Sequence, residues 1–191
     1  MAEDPFEIVR SAINTDELML AQRLEVSGEA PIFAIQNFLS DHACRAYYRH
    51  VSRLFAAGKF VDYHESPPRF GLHNDEIALA LAYFLRPSVE MRTEMQLQPS
   101  WTFCAIYPQG IELKRHVDRV ECEVTVAIYV QHSLAHLGPQ VLLNFGATSC
   151  PTKFVGSVGD AVIFFGRRTP HWRDPNFASG CAMTTLLLHY S

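Results

Sequence analysis

The sequence predicts an α+β domain in which helices come first and pack against one sheet of a following β-sandwich or barrel. Three observations carry this. Up to about residue 100 the apolar residues recur at helical spacing. After Pro99 they fall into short apolar or alternating runs. Glycines then punctuate the runs at Gly110, Gly138, Gly146, Gly156, Gly159 and Gly166. Helices followed by strands mark an α+β arrangement, and several short strands with regular turn signals mark a sandwich or barrel. At 191 residues the chain fits one domain with its own core. Residues 1–100 would give mainly helical support and 101–191 the β core.

In chain order, residues 5–26 carry Phe6, Ile8, Val9, Ile13, Leu18, Leu20 and Leu24, which reads as two short helices broken around Asn14-Thr15. Ile32 to Ile35 suits a strand. Ser40 is an N-cap for a helix over about 41–57, which Gly58 stops. Residues 60–72, with Pro67, Pro68 and Gly71, read as a loop, either a lid or plain surface. A further helix starts near Asn74 and runs past Leu85. Pro87 is expected to break or kink it, with a short helix leading on to Leu97. The strand-like runs are about 101–107, 112–117, 122–130, 140–145, 152–155, 160–165 and 181–190.

Composition is that of a globular protein, 48% apolar and 19% charged, with a net charge of −4. No basic run suggests nucleic acid, although a local patch is compatible with an acidic chain. The cysteines Cys44, Cys104, Cys122, Cys150 and Cys181 are odd in number and form no C-x-x-C. Neither a disulfide framework nor a thiolate zinc site is expected, and a reducing cytoplasm is. The acidic start and the lack of a long apolar run predict neither a signal peptide nor a membrane span. Nothing in the sequence specifies an oligomeric state.

The chemistry centres on Lys114-Arg115-His116-Val117-Asp118. On a strand, His116 and Asp118 share a face because side chains alternate with period two. One imidazole and one carboxylate so spaced can chelate a divalent metal from one side. His171, just past the run Ala161 to Phe165, is the best third ligand. Two histidines and one carboxylate form a facial triad whose open positions suit Fe(II) with a co-substrate and O₂.

Around this triad the chain resembles the 2-oxoglutarate-dependent Fe(II) oxygenases, in particular their prolyl 4-hydroxylase-like branch, over about residues 30–190. Ile35 to Cys44 is similar to the family's entry strand and first helix. Tyr107-Pro108-Gln109-Gly110, followed by Leu113 to Asp118, resembles the lead into the iron motif. Val124 to Val130, Gly159 to Phe165 and Met183 to Tyr190 are similar to later core strands. The resemblance implies a double-stranded β-helix (jelly-roll, cupin-like) core. It implies Fe(II), 2-oxoglutarate and O₂, with ascorbate as an optional stimulant. The reaction would hydroxylate an unactivated C–H of a small molecule, amino acid or peptide, releasing succinate and CO₂. Two alternatives are an iron oxygenase that does not use 2-oxoglutarate and a non-catalytic β-helix that binds a ligand. Nucleic-acid dealkylation is a minor variant.

The resemblance also implies roles. His116, Asp118 and His171 match the iron ligands, and an aspartate at 118 disfavours halogenation. Tyr107 and Tyr129 match tyrosines that line the 2-oxoglutarate pocket, and Thr185 falls where a hydroxyl often adjoins its far carboxylate. Each could instead be a core residue. The family's usual cation about ten residues after the distal histidine is missing, since Ser179 to Met183 holds none. A carboxylate buried without a partner costs several kcal/mol, so another cation is expected. Arg173 is the candidate, with a rim ion pair to Asp174 as its plain alternative. Arg167, Arg168, Lys114 and Arg92 are reserves. His132 and His136 read as surface histidines in a loop, and His189 as a core histidine. Trp101 and Trp172 read as packing residues. Arg115 and Arg119 would point away from the metal if the strand stays regular.

Overall fold

A computed structural model describes residues 9, 21–63, 68–108, 110–132, 138–174 and 182–191. Among the described residues, twelve strands and two full helices follow in order. They are β1 (Ala21–Leu24), β2 (Ile32–Ile35), α1 (Asp41–Ala56), β3 (Val61–Tyr63), β4 (Arg69–His73), α2 (Glu76–Thr93) and β5 (Pro99–Tyr107). The rest are β6 (Leu113–His116), β7 (Val124–His132), β8 (Gln140–Phe145), β9 (Thr152–Gly156), β10 (Ala161–Phe164), β11 (His171–Arg173) and β12 (Met183–Tyr190).

Two sheets form, an eight-stranded one ordered β1-β2-β10-β7-β12-β5-β4-β3 and a four-stranded one ordered β6-β11-β8-β9. The chain from β5 onward crosses between them repeatedly. It supplies β10-β7-β12-β5 to the larger sheet and the whole of the smaller. That alternation is the expected double-stranded β-helix, a two-sheet jelly roll.

Both helices cover the outer face of the larger sheet. Tyr47 and Val51 of α1 and Leu81, Leu85 and Val89 of α2 are buried with Val126, Ile128, Leu186 and Leu188 of the sheet. A second layer lies between the sheets, built on Ile32, Tyr129, Leu142, Phe145, Phe154 and Phe164. β7 is therefore covered on both sides, which is why it reads as a continuous apolar run. Period-two alternation sends Val124, Val126, Ile128 and Val130 to the helices and Thr125, Ala127 and Tyr129 to the interior. β12 does the same, with Leu186, Leu188 and Tyr190 outward and Thr185, Leu187 and His189 inward.

Ser40 caps α1 as expected, its Oγ accepting from the Ala43 N–H at 3.1 Å. Asp75, one residue past the expected start, caps α2 through the Ala78 N–H at 3.1 Å. The chain departs from expectation in three places. Pro87 does not end its helix: α2 continues to Thr93, because buried Leu81 and Leu85 before the proline and Ser88 and Val89 after it pack on one sheet. The carbonyl left unbonded belongs to Tyr83, which is exposed, so water can take it. Second, the expected loop 60–72 contains β3 and β4, which extend the larger sheet beyond β5. Gly71 permits this, since a Cβ there would lie 2.4 Å from the Phe103 ring. Third, residues 21–24 of the expected N-terminal helices form β1, paired to β2. Residues 5–20 of that segment, apart from Val9, lie outside the described residues, as do His136 and Cys181. Among the described residues, no helix is long and apolar enough to cross a membrane.

Asp160 ties the first turn to the core. Its Oδ1 accepts the Asn37 N–H at 2.8 Å and its Oδ2 the Ser157 N–H at 2.7 Å. Burial raises its pKa while those two donors pull it down. Asp160→Ala would orphan both amides and should lower unfolding free energy by about 1–3 kcal/mol. Denaturant titration checks this, and an unchanged midpoint would assign the turn to packing alone.

Candidate metal centre and its cavity

The smaller sheet brings the three expected ligands together. β11 pairs with β6 so that His171 sits opposite His116. Their ring centroids are 4.3 Å apart. β6 ends at His116, and Asp118 is set in the following turn by its own N–H, which donates to the Gly166 carbonyl at 2.8 Å. Asp118 Oδ1 lies 3.8 Å from His116 Nε2 and 3.7 Å from His171 Nε2. The ligating atoms of all three fall within 4.8 Å of one another. A divalent ion at ordinary ligand distances of ~2 Å fits among them.

The second partners of these groups favour metal binding. His116 Nδ1 donates to the Lys114 carbonyl at 2.8 Å and His171 Nδ1 to the Thr169 carbonyl at 3.1 Å. A carbonyl only accepts, so each Nδ1 carries the proton and each Nε2 lone pair is free for a metal. Asp118 Oδ2 accepts from the Thr125 hydroxyl at 2.7 Å, leaving Oδ1 toward the histidines. Burial lowers the His171 pKa to about 4, opposed by the Asp118 charge. His171 is therefore neutral at pH 7. Its side chain is 5% exposed against 39% for His116, so the centre opens on the His116 side.

The triad lies in a cavity of about 200 Å³. One end is lined by Tyr107, Tyr129, Arg173 and Thr185, which the sequence had grouped as co-substrate contacts. Arg173 is 3% exposed. Its guanidinium stands 4.2 Å over the Tyr107 ring and its Nη1 is 3.6 Å from Met183 Sδ. Its Nε and Nη2 are buried and have no hydrogen-bond partner among the described residues, and neither does Thr185 Oγ1. The rim pair with Asp174 is not formed: Asp174 accepts from Asn144 and Trp172 instead. The Tyr129 hydroxyl donates to the Leu142 carbonyl at 3.3 Å. The reserve cations are placed elsewhere. Arg167 and Arg168 both pair with Glu123, Arg92 bonds Ser88 within α2, and Lys114 is exposed.

The other end of the cavity is lined by Tyr63, Arg69, His73, Trp101, Phe103 and Arg119. Most of these were not expected there. Trp101 stacks on His189 at 4.3 Å and on His73 at 5.2 Å, so it walls the site rather than serving only as packing. Arg119 turns back over the Trp101 ring at 5.6 Å instead of pointing away, because β6 has ended before it. Arg115, in contrast, donates to the Gly146 carbonyl. His132 is not a surface histidine: β7 extends through it and buries it. Tyr63, Arg69 and His73 lie on β3 and β4, the strands the prolines had masked.

Several solved structures share this fold. A Pseudomonas putida prolyl-4-hydroxylase superposes with a TM-score of 0.66 at 19% identity, over 96% of this chain and 97% of that one. The α-ketoglutarate-dependent epimerase SnoN of nogalamycin biosynthesis, solved with Fe³⁺, α-ketoglutarate and nogalamycin RO, gives 0.67 at 10% identity, over 98% and 84%. A collagen prolyl hydroxylase of Paramecium bursaria Chlorella virus-1, solved as its 2OG complex, gives 0.59 at 16%, over 84% and 96%. The structural neighbours are thus prolyl hydroxylases and other 2-oxoglutarate/Fe(II) oxygenases, and the likeness establishes the shared fold. No protein-family model matches the sequence, and no curated protein does.

Burial depresses two histidines of this cavity, His171 and His189, each to about 4. In the unfolded chain they titrate near ~6.5. Their folded pKa values lie below that, so the stability they confer is complete above ~6.5 and is lost as pH falls toward ~4. Metal-free protein should therefore show a falling unfolding free energy across that window, measured by urea titration at pH 7.5 and 5.0. No loss across the interval would mean that neither histidine is held neutral.

Proposed function

We propose that this protein is an Fe(II)- and 2-oxoglutarate-dependent dioxygenase that hydroxylates an unactivated C–H of a small molecule, amino acid or peptide. The observation that carries the reading is the pairing, in one cavity, of a His-Asp-His triad with a buried guanidinium lacking a carboxylate partner among the described residues. A buried cation without a counter-charge is costly. A dicarboxylate reaching from the metal would supply the missing anion.

The side chains fit both groups. His116 Nε2, Asp118 Oδ1 and His171 Nε2 would hold Fe(II) on one face. Arg173 Nε and Nη2 present a planar fork suited to a carboxylate, and the Thr185 hydroxyl adds a third donor. Tyr107 supports the guanidinium from below with its ring. Metal, Asp118, dianionic co-substrate and Arg173 would together be neutral, which lowers the cost of burial. When bound, the metal and co-substrate supply oxygen activation coupled to release of succinate and CO₂. The protein's share is to orient the co-substrate, exclude water from the Arg173 end and admit the substrate at the other. At about 200 Å³ the cavity is below the ~300–1,000 Å³ of pockets that enclose whole ligands. The reacting part of the substrate would enter past Trp101 and Arg119 while the rest stays at the mouth.

Anaerobic addition of Fe(II) and 2-oxoglutarate should give a weak metal-to-ligand charge-transfer band in the visible. His116→Ala should abolish it. Arg173→Ala should raise the 2-oxoglutarate concentration needed by about 10- to 100-fold, the range of a lost charge-assisted hydrogen bond. Iron binding through His116 with no band would instead favour an oxygenase whose substrate itself chelates the metal.

A further inference from the structure

On the inward faces of β7 and β12, Thr125 and His189 stand next to apolar Ala127 and Leu187. They are direct cross-strand partners in the register. We propose that they form a directed relay that presents Asp118 to the metal through one oxygen, which makes both positioning residues of the centre. The proposal rests on the metal reading above.

The direction follows from proton counting. Thr125 Oγ1 is 2.7 Å from Asp118 Oδ2 and 3.1 Å from His189 Nδ1. An ionised carboxylate only accepts, so the single hydroxyl proton goes to Asp118. The hydroxyl oxygen is then an acceptor toward His189, whose proton must sit on Nδ1. The chain runs His189 Nδ1–H to Thr125 Oγ1–H to Asp118 Oδ2. Oδ2 is thereby occupied, and Oδ1 alone faces the two Nε2 atoms. Without this bond the carboxylate could rotate or bind through both oxygens, and the facial geometry would lose an open position.

Two further features guard the relay. His189 is 2% exposed and its ring lies 4.3 Å from Trp101 at an interplanar angle of 19°, so its rotation is restrained. Burial keeps the imidazole neutral, with the single proton the chain requires. Gly166 passes directly over the Asp118–Thr125 bond: a Cβ there would lie 2.4 Å from both Asp118 Oδ2 and Thr125 Oγ1. The Gly166 carbonyl meanwhile receives the Asp118 N–H. Any side chain at 166 would push the carboxylate off its hydroxyl partner.

The test has two parts, neither needing turnover. In metal-free protein, ¹⁵N-resolved NMR of the His189 ring should show the Nδ1–H tautomer; an Nε2–H tautomer overturns the relay. Cobalt(II) titration, read by its visible d–d spectrum, then compares variants. Thr125→Val and His189→Phe should each weaken Co(II) binding by about 10- to 100-fold, the usual effect of losing an outer partner of a ligand. Thr125→Ser and His189→Asn, which keep the hydroxyl and an N–H near the Nδ1 position, should recover most of it. The Val/Phe double variant should be no weaker than Thr125→Val alone, because the same chain is already cut. Folded variants that bind Co(II) like the wild type overturn the proposal. A wild type with the Nδ1–H tautomer that takes up no Co(II) overturns the metal reading itself, and the relay's role with it.

Discussion

One cross-strand pair in the smaller sheet, His171 opposite His116, holds the candidate centre together. Everything else serves to bring a carboxylate to that pair. The turn before β11 does so by interlocking with the turn after β6. Asp118 and Arg167 donate their backbone N–H groups to Gly166 and Cys122 respectively, one bond in each direction between the turns. Glu123 then pairs with both Arg167 and Arg168. Those arginines, which looked like reserves for carboxylate capture, are held by Glu123. Their charge links the two turns.

The interior polar groups divide into committed and uncommitted sets. The Nδ1 atoms of His116 and His171, Asp118 Oδ2 and the Thr125 hydroxyl have defined partners. Among the described residues, Arg173 Nε and Nη2, Thr185 Oγ1 and His189 Nε2 do not. A fold that satisfies almost every buried polar atom loses stability wherever it fails to. Uncommitted donors gathered at one end of a cavity, with an aromatic face beneath the cation, are therefore best explained by a ligand that completes them. The metal end and the carboxylate end are read from opposite signs of the same rule: satisfied outer atoms at one, orphaned inner atoms at the other.

Much of this was legible in sequence because period-two patterning and glycine turns are strong signals. The runs at 140–145 and 152–155 became β8 and β9 almost unchanged, and Ser40 capped its helix. His116, Asp118 and His171 could be named because two lie two residues apart and the third follows a clear strand. Other features depended on tertiary context. Pro67 and Pro68 hid β3 and β4, whose pairing comes from β5 rather than from local propensity. Pro87 was overruled by a buried helix face. His132 looked like loop because β7 outran its apolar core. His189 carried a usable signal: its parity with Leu187 and Thr185 in β12 sets it on the inward face, and only its partner Thr125, distant in sequence, was invisible.

As the proposed carboxylate clamp, Arg173 would deliver its charge from β11. The sequence resemblance implies a cation about ten residues after His171, whereas β12 here begins with Met183 and inward-facing Thr185, neither charged. β11 lies in the other sheet, and its face is set by His171. Two residues on, past an irregularity in the β11–β6 register, Arg173 returns to the same face. Its Nη1 reaches Met183 Sδ, so the guanidinium spans the cavity to the start of β12. The cation thus meets the start of β12 from the opposite wall. A methionine suits that junction, being polarizable and free of a competing charge. Electrostatics constrains where the positive charge sits relative to the metal, not which strand delivers it.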